Sequence, residues 1–127
     1  RSEPVQTRLG PKGPHCYSIS APTTPNRELM NKSTRLAFER LLRLAQGDTG
    51  QSRRVANFLL AWWNADSLGG FDLADLFAVD TAIGKDMALV FDWLAGLSEP
   101  EYPESYSAEI DRIIQLWRPE VWAEANP

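Results

Sequence analysis

From Ser33 onward the apolar positions of the chain recur with the 3.6-residue period of an α-helix. Ala37, Leu41, Leu44 and Ala45 form one stripe, widened by Phe38 and Leu42, so a first helix is expected from a Ser33 or Thr34 cap to about Gln46, with Gly47 just beyond its end. Val55, Phe58, Leu59 and Trp62 repeat at i, i+3, i+4 and i+7, and Ala56, Leu60 and Trp63 add a second stripe beside them. A helix from about Ser52 to Ala65 that is apolar over so wide an arc belongs in the centre of a fold. Gly69-Gly70 breaks the pattern.

A short third helix is expected from Phe71-Asp72, with Asp72 as N-cap, Asp75 in the first turn and Phe71 stapled onto Leu76. Asp80-Thr81 then opens a helix to about Ala95, with Ile83, Met87, Val90, Phe91 and Leu94 on one face. Gly84 inside it costs up to about 1 kcal/mol relative to Ala, which points to the close approach of a neighbouring helix. After a loop holding Pro100 and Pro103, a last helix runs from about Ser105 to Trp117 with Tyr106, Ile110, Ile113, Ile114 and Trp117 inward. Pro119 ends it or restarts it as the first residue of a terminal turn. No strand alternation and no internal repeat interrupts this pattern. The expected fold class is all-α, a small bundle of four or five helices.

Residues 1–32 read differently. They hold five of the nine prolines, with Gly10, Gly13 and many Ser and Thr, and such a segment buries too little apolar surface to offset its ordering entropy. An irregular or disordered arm over 1–32 and a helical domain over 33–127 are therefore expected, with a short extended contact at Cys16-Tyr17-Ser18-Ile19. Met30 stands directly ahead of the first helix. The upstream residues are then either an over-annotated or vector-derived extension of a protein starting at Met30, or a genuine tail.

At 127 residues the chain has the length of one domain. No apolar run approaches the roughly 18 residues that span a bilayer, and no signal-peptide pattern is present, so a cytoplasmic protein with no membrane partner is expected. His15-Cys16 alone falls short of the about four ligands of a zinc site. Charge is uneven: residues 1–32 carry +3 and residues 33–127 carry −7, with eleven acidic side chains and one basic one, Lys85, between Asp66 and Asp111. An acidic body repels nucleic-acid phosphate, so no direct nucleic-acid binding is expected.

The aspartates fail as a calcium loop. The third and fifth positions are Leu68 and Gly70 counted from Asp66, and Ala74 and Leu76 counted from Asp72. Caps and solvated faces account for most of them. The tandem Trp62-Trp63 resembles a base-stacking platform, but Leu59-Leu60 repeats the same phase one turn earlier, which makes it core. A helix–turn–helix reading founders on Asp72-Leu73-Ala74-Asp75-Leu76, which offers no Arg, Lys, Asn or Gln to base edges. There is no Gly-rich phosphate loop, nucleophile elbow or Cys/His dyad in the helical body. Neither enzyme activity, cofactor nor metal is expected.

Arg35, Arg40, Arg43, Arg53 and Arg54 cluster on the first helix and the start of the second, where the dipole gives Arg53 and Arg54 no support. A solvated face, salt bridges to the acidic half, or an acidic partner surface each accounts for them. The bipolar layout suits oriented docking, and Arg40, Arg43, Arg53, Arg54, Asp66, Asp72 and Asp75 are the candidate partner-binding residues. The partner is another protein of unknown identity or a second copy of this chain.

The string DTGQSRRVANFLLAWWNA (48–65) followed by GGFDLADLFAVDTAI (69–83) resembles a family of small uncharacterised helical proteins encoded on proteobacterial integrative elements and plasmids. The resemblance covers Leu36–Leu94. It implies a bacterial accessory protein of a mobile genetic element and carries no catalytic residue. The expected function is a non-enzymatic protein-interaction module; the alternatives are an acidic phosphate mimic that inhibits a nucleic-acid-binding host protein, and a small Asp-based hydrolase or metal-binding protein.

Overall fold

A computed structural model describes residues 9–11 and 30–127. Helices α1 (Lys32–Ala45), α2 (Gly50–Leu68), α3 (Thr81–Ala95), α4 (Ser107–Trp117) and α5 (Pro119–Ala125) follow in order, with 3₁₀ segments at Leu73–Ala78 and Glu104–Tyr106. The described residues contain no strand, and the architecture is the expected all-α bundle. The expected contact at Cys16–Ile19 and the His15-Cys16 pair lie outside the described residues.

The first two helices start earlier than the periodicity places them, because their caps do. Asn31, not Ser33 or Thr34, caps α1: its Oδ1 accepts from the Thr34 N–H at 2.8 Å, and Thr34 is itself buried. Thr49 caps α2 by accepting from the Ser52 N–H at 3.0 Å. Ser52, expected to open the helix, is buried and shares a 3.0 Å hydroxyl contact with Thr49. The helix also outruns its expected end at Ala65. At Asn64 the backbone leaves helical geometry (φ −168°, ψ 81°). The Asn64 carboxamide then accepts from the Ser67 N–H at 3.3 Å and so recaps a last turn. Gly69, at φ 96°, closes it in a conformation that a side chain would strain.

The wide apolar arc of α2 is buried as its pattern requires. Val55, Ala56, Leu59, Leu60 and Trp63 are core, and Phe58 and Trp62 pack against it. They meet Phe38, Leu41 and Leu42 of α1, Met87 and Val90 of α3, and Ile110, Ile113 and Ile114 of α4. Phe38 takes edge-on contacts from Trp62 (5.8 Å) and Tyr106 (4.9 Å), and Trp62 takes one from Trp93 (6.2 Å). Three indole N–H groups pin other parts of the chain: Trp62 to the Glu101 carbonyl (2.9 Å), Trp63 to that of Leu9 (2.6 Å) and Trp117 to that of Ala45 (2.8 Å). Leu9, from the Pro-rich arm, is itself buried in this core.

Four expectations are corrected. The third helix is a 3₁₀ segment that buries none of its residues. Phe71, expected to staple onto Leu76, sets its ring edge-on to Phe58 of α2 at 5.3 Å, and Leu76 stays exposed. Phe91 leaves the inner face of α3. The stripe through Ile83, Met87, Val90 and Leu94 faces the core, and Phe91, one residue beyond Val90, is carried round to 65% exposure. Gly84 meets no helix closely: a Cβ built there finds only the Val79 side chain, at 4.0 Å. At the C-terminal end, Glu104–Tyr106 forms a 3₁₀ turn ahead of α4, and Pro119 restarts the chain as α5.

Candidate functional site

The candidate partner-binding residues fall into separate places. Arg40 of α1 makes a two-pronged hydrogen bond with Asp86 of α3, Nε to Oδ2 at 2.9 Å and Nη2 to Oδ1 at 2.8 Å. That contact raises the already high pKa of the guanidinium, chiefly through the hydrogen bond and then through the carboxylate charge. Arg54 of α2 faces Asp75 of the 3₁₀ segment at 3.6 Å. Asp72 caps that segment by accepting from the Ala74 N–H at 2.9 Å. Arg54, Asp72 and Asp75 thus gather at Leu73–Ala78. Arg43, Arg53 and Asp66 lie on exposed surface. Two of the clustered arginines form salt bridges to the acidic half.

The segment they anchor is the most conspicuous surface of the molecule. Its far end is fixed to α2 by a reciprocal pair: the Asp80 N–H donates to Gln51 Oε1 at 2.6 Å, and Gln51 Nε2 donates to Asp80 Oδ2 at 3.4 Å. Between these ties Leu73 is 71% exposed and Phe77 92% exposed. The outer side of α3 adds exposed Leu89 and Phe91. The segment and α3 lie in the stretch where acidic residues outnumber basic ones eleven to one.

A second feature is a cleft of about 440 Å³ between Leu9–Pro11, α4 and α5. Leu9, Gly10 and Pro11 form one side, and Trp63, Glu104, Ser107, Asp111, Trp122 and Asn126 complete much of the lining. The wall at Leu9–Pro11 is held by α2: Trp63 donates to the Leu9 carbonyl, and Asn64 Nδ2 donates to the Gly10 carbonyl at 3.1 Å. Burial pushes the Asp111 carboxyl above the ordinary carboxylate range. Nothing in the periodicity pointed to Asp111, because the cleft is made by Leu9–Pro11 folding back on α2 and by α5 turning at Pro119.

Arg118 also escaped the sequence reading. Its guanidinium donates to the Leu68 carbonyl (2.7 Å), the Trp117 carbonyl (2.9 Å) and Asn57 Oδ1 (2.8 Å), tying the end of α2 to the end of α4. Burial lowers its pKa. Among the described residues no group of three or more His, Cys, Asp or Glu could hold a metal ion, and no helix is long and apolar enough to cross a membrane.

Fold and surface together define a small all-α protein with an exposed apolar 3₁₀ segment and a carboxylate-bearing cleft. The chain belongs to the family of unknown function DUF7673, whose model matches residues 35–118, from α1 to the Arg118 clamp. No curated protein and no solved structure matches it.

Proposed function

We propose that the protein is a non-enzymatic docking module that presents Leu73–Ala78 to another protein. The observation that carries this reading is Phe77, an aromatic side chain left 92% exposed on a segment anchored at both ends. A large apolar side chain held in water on a positioned segment marks an interaction surface. The acidic stretch around it calls for a partner whose apolar groove is rimmed by basic side chains. Two carboxylates of the stretch are paired with arginines and two others hold Ala74 and Gln51, which leaves fewer for a row of phosphate mimics. The narrower role, an accessory factor of a bacterial mobile genetic element in the cytoplasm, rests on the resemblance of residues 48–65 and 69–83 alone.

The test compares tagged wild-type protein with the double variant Leu73→Ser/Phe77→Ser in host cells, with retained proteins identified by mass spectrometry. A protein held by the wild type and lost from the variant is expected, and one encoded on the same element would support the narrower role. Equal retention of the same proteins by both forms would overturn the reading.

A further inference from the structure

We propose that the cleft between Leu9–Pro11, α4 and α5 binds an organic cation, an ammonium or guanidinium group set against the Asp111 carboxylate and the indoles that line the walls. The cleft shares no residue with the Leu73–Ala78 segment, so this site goes beyond the docking role. Its volume of about 440 Å³ lies within the range of small-ligand pockets. Two carboxylates, Asp111 and Glu104, line it, and none of the described lining residues is basic. Asp111 has no hydrogen-bond or ion-pair partner among the described residues, whereas Asp72, Asp75, Asp80 and Asp86 each have one. A partly buried carboxylate without a partner loses hydration and regains nothing until a cation arrives. The raised pKa of Asp111 records that uncompensated burial.

The rest of the lining selects the kind of cation. Half-buried Trp122 supplies an indole, on which ammonium and guanidinium groups rest favourably, and buried Trp63 lines the cleft beside it. Ser107 and Asn126 add neutral hydrogen-bonding groups. Two carboxylates are too few for a calcium site, which takes about 6–8 oxygen ligands. An anion would have to sit beside the charge of two carboxylates.

The same chemistry has two sources, a free amine or the Lys or Arg side chain of a partner protein, and two probes separate them. Agmatine carries both cationic groups as a free molecule. Nα-acetyl-lysine methylamide stands for a lysine within a protein chain. Each is titrated into the full chain at constant ionic strength, with succinate as the anionic control. The readout is the set of amide and indole shifts in ¹H–¹⁵N spectra.

Saturable shifts centred on Ser107, Asp111 and Trp122 are expected with at least one cation and none with succinate. Preference for agmatine would indicate a free amine, and preference for the lysine derivative a partner side chain. Asp111→Asn should weaken binding about tenfold, the equivalent of 1.4 kcal/mol, while leaving the spectrum elsewhere unchanged. Glu104→Gln, on the exposed rim, is a second variant that does not disturb the core, and it should weaken binding by a smaller factor.

Three results would overturn the proposal: no saturable shift with either cation, equal shifts in wild type and both variants, or binding of succinate. Arg8 and Lys12 flank Leu9–Pro11 in the sequence, so the double variant Arg8→Ser/Lys12→Ser is titrated as well. Binding seen only in that variant would make the chain's own cation the occupant and would equally overturn an external ligand.

Discussion

Leu59–Trp63 and Leu73–Phe77 are two five-residue runs of nearly equal apolar content, LLAWW and LADLF, with opposite fates. In the first, Leu59, Leu60 and Trp63 are buried and Trp62 is packed against the core. In the second, every apolar residue is exposed. Content does not separate them; register and length do. The first run continues a 3.6-residue pattern begun at Val55, so each apolar side chain meets one from α1, α3 or α4. The second stands alone between Gly69-Gly70 and Asp80, two turns of 3₁₀ helix with no neighbour in phase. In these two runs, a sustained period gives apolar residues a common face that can be buried, and a short isolated run stays on the surface.

The largest effect should come from cutting the buried run. Trp63→Ala is expected to cost about 3–5 kcal/mol, the usual loss for an aromatic removed from a core, and it also strips the Leu9 carbonyl of its donor. Urea melts of both forms measure it. A loss below about 1 kcal/mol would mean that the tandem tryptophans do not sit in the core as described.

Arg118→Ala comes next. It removes the donors of two carbonyls and one carboxamide that join the ends of α2 and α4. A loss of about 2 kcal/mol is expected, and Arg118→Lys should recover only part of it, because an ammonium cannot reproduce the guanidinium fork.

Two of the helix-associated glycines, Gly47 and Gly84, sharpen the contrast between filled and open space. A Cβ at Gly47 would stand 2.8 Å from the Ser52 hydroxyl, which is buried and already bonded to Thr49. Gly47→Ala should therefore destabilise by about 1 kcal/mol or more. Gly84 sits within α3 with open space around it. Gly84→Ala should stabilise by up to about 1 kcal/mol through helix propensity. Opposite shifts of the two melting temperatures are the check.

Smaller still is the effect of Asp111→Asn. Burial lifts the folded-state pKa of Asp111 above its unfolded value, so the folded protein holds this proton to higher pH than the unfolded chain does. Stability from this group is complete below the ordinary carboxylate range and is lost as pH rises through the raised value. The Asn variant should melt slightly higher than wild type at pH 7, and the difference should vanish in acid. A variant that melts lower at neutral pH would mean that the ionised carboxylate is stabilised in the fold.

These comparisons also show what the sequence made legible. The inner faces of α1, α2 and α4 followed directly from period, because each stripe extends over several turns and one helix face can bury all of it. The boundaries slipped where a cap, not an apolar residue, decides them: Asn31 and Thr49 each reach three residues forward to an N–H. The placement of Phe91 failed because a stripe of five allowed two phases in a helix with an apolar flank, and contact with α1 selected the other. The expected interaction residues dispersed because charge counts carry no distance; Arg40 found Asp86, and Arg54 found Asp75. The cleft was invisible for a related reason. Trp63, Asp111 and Trp122 come from three different helices, and Leu9–Pro11 walls the cleft through a contact across α2 made by backbone carbonyls that no residue pattern encodes.

The smallest effect on stability is expected at the other run, and it carries the most weight for function. Phe77 is 92% exposed, so Phe77→Ser removes almost no burial, and stability should stay within about 0.5 kcal/mol of wild type. The Arg54–Asp75 pair and the Gln51–Asp80 hydrogen bonds do not involve this side chain and should hold the segment in place. If Phe77 exists for contact, the variant keeps its melting curve and loses its partner. A drop in stability approaching that of Trp63→Ala would show instead that Phe77 is buried in the free protein, and the contrast between the two runs would collapse.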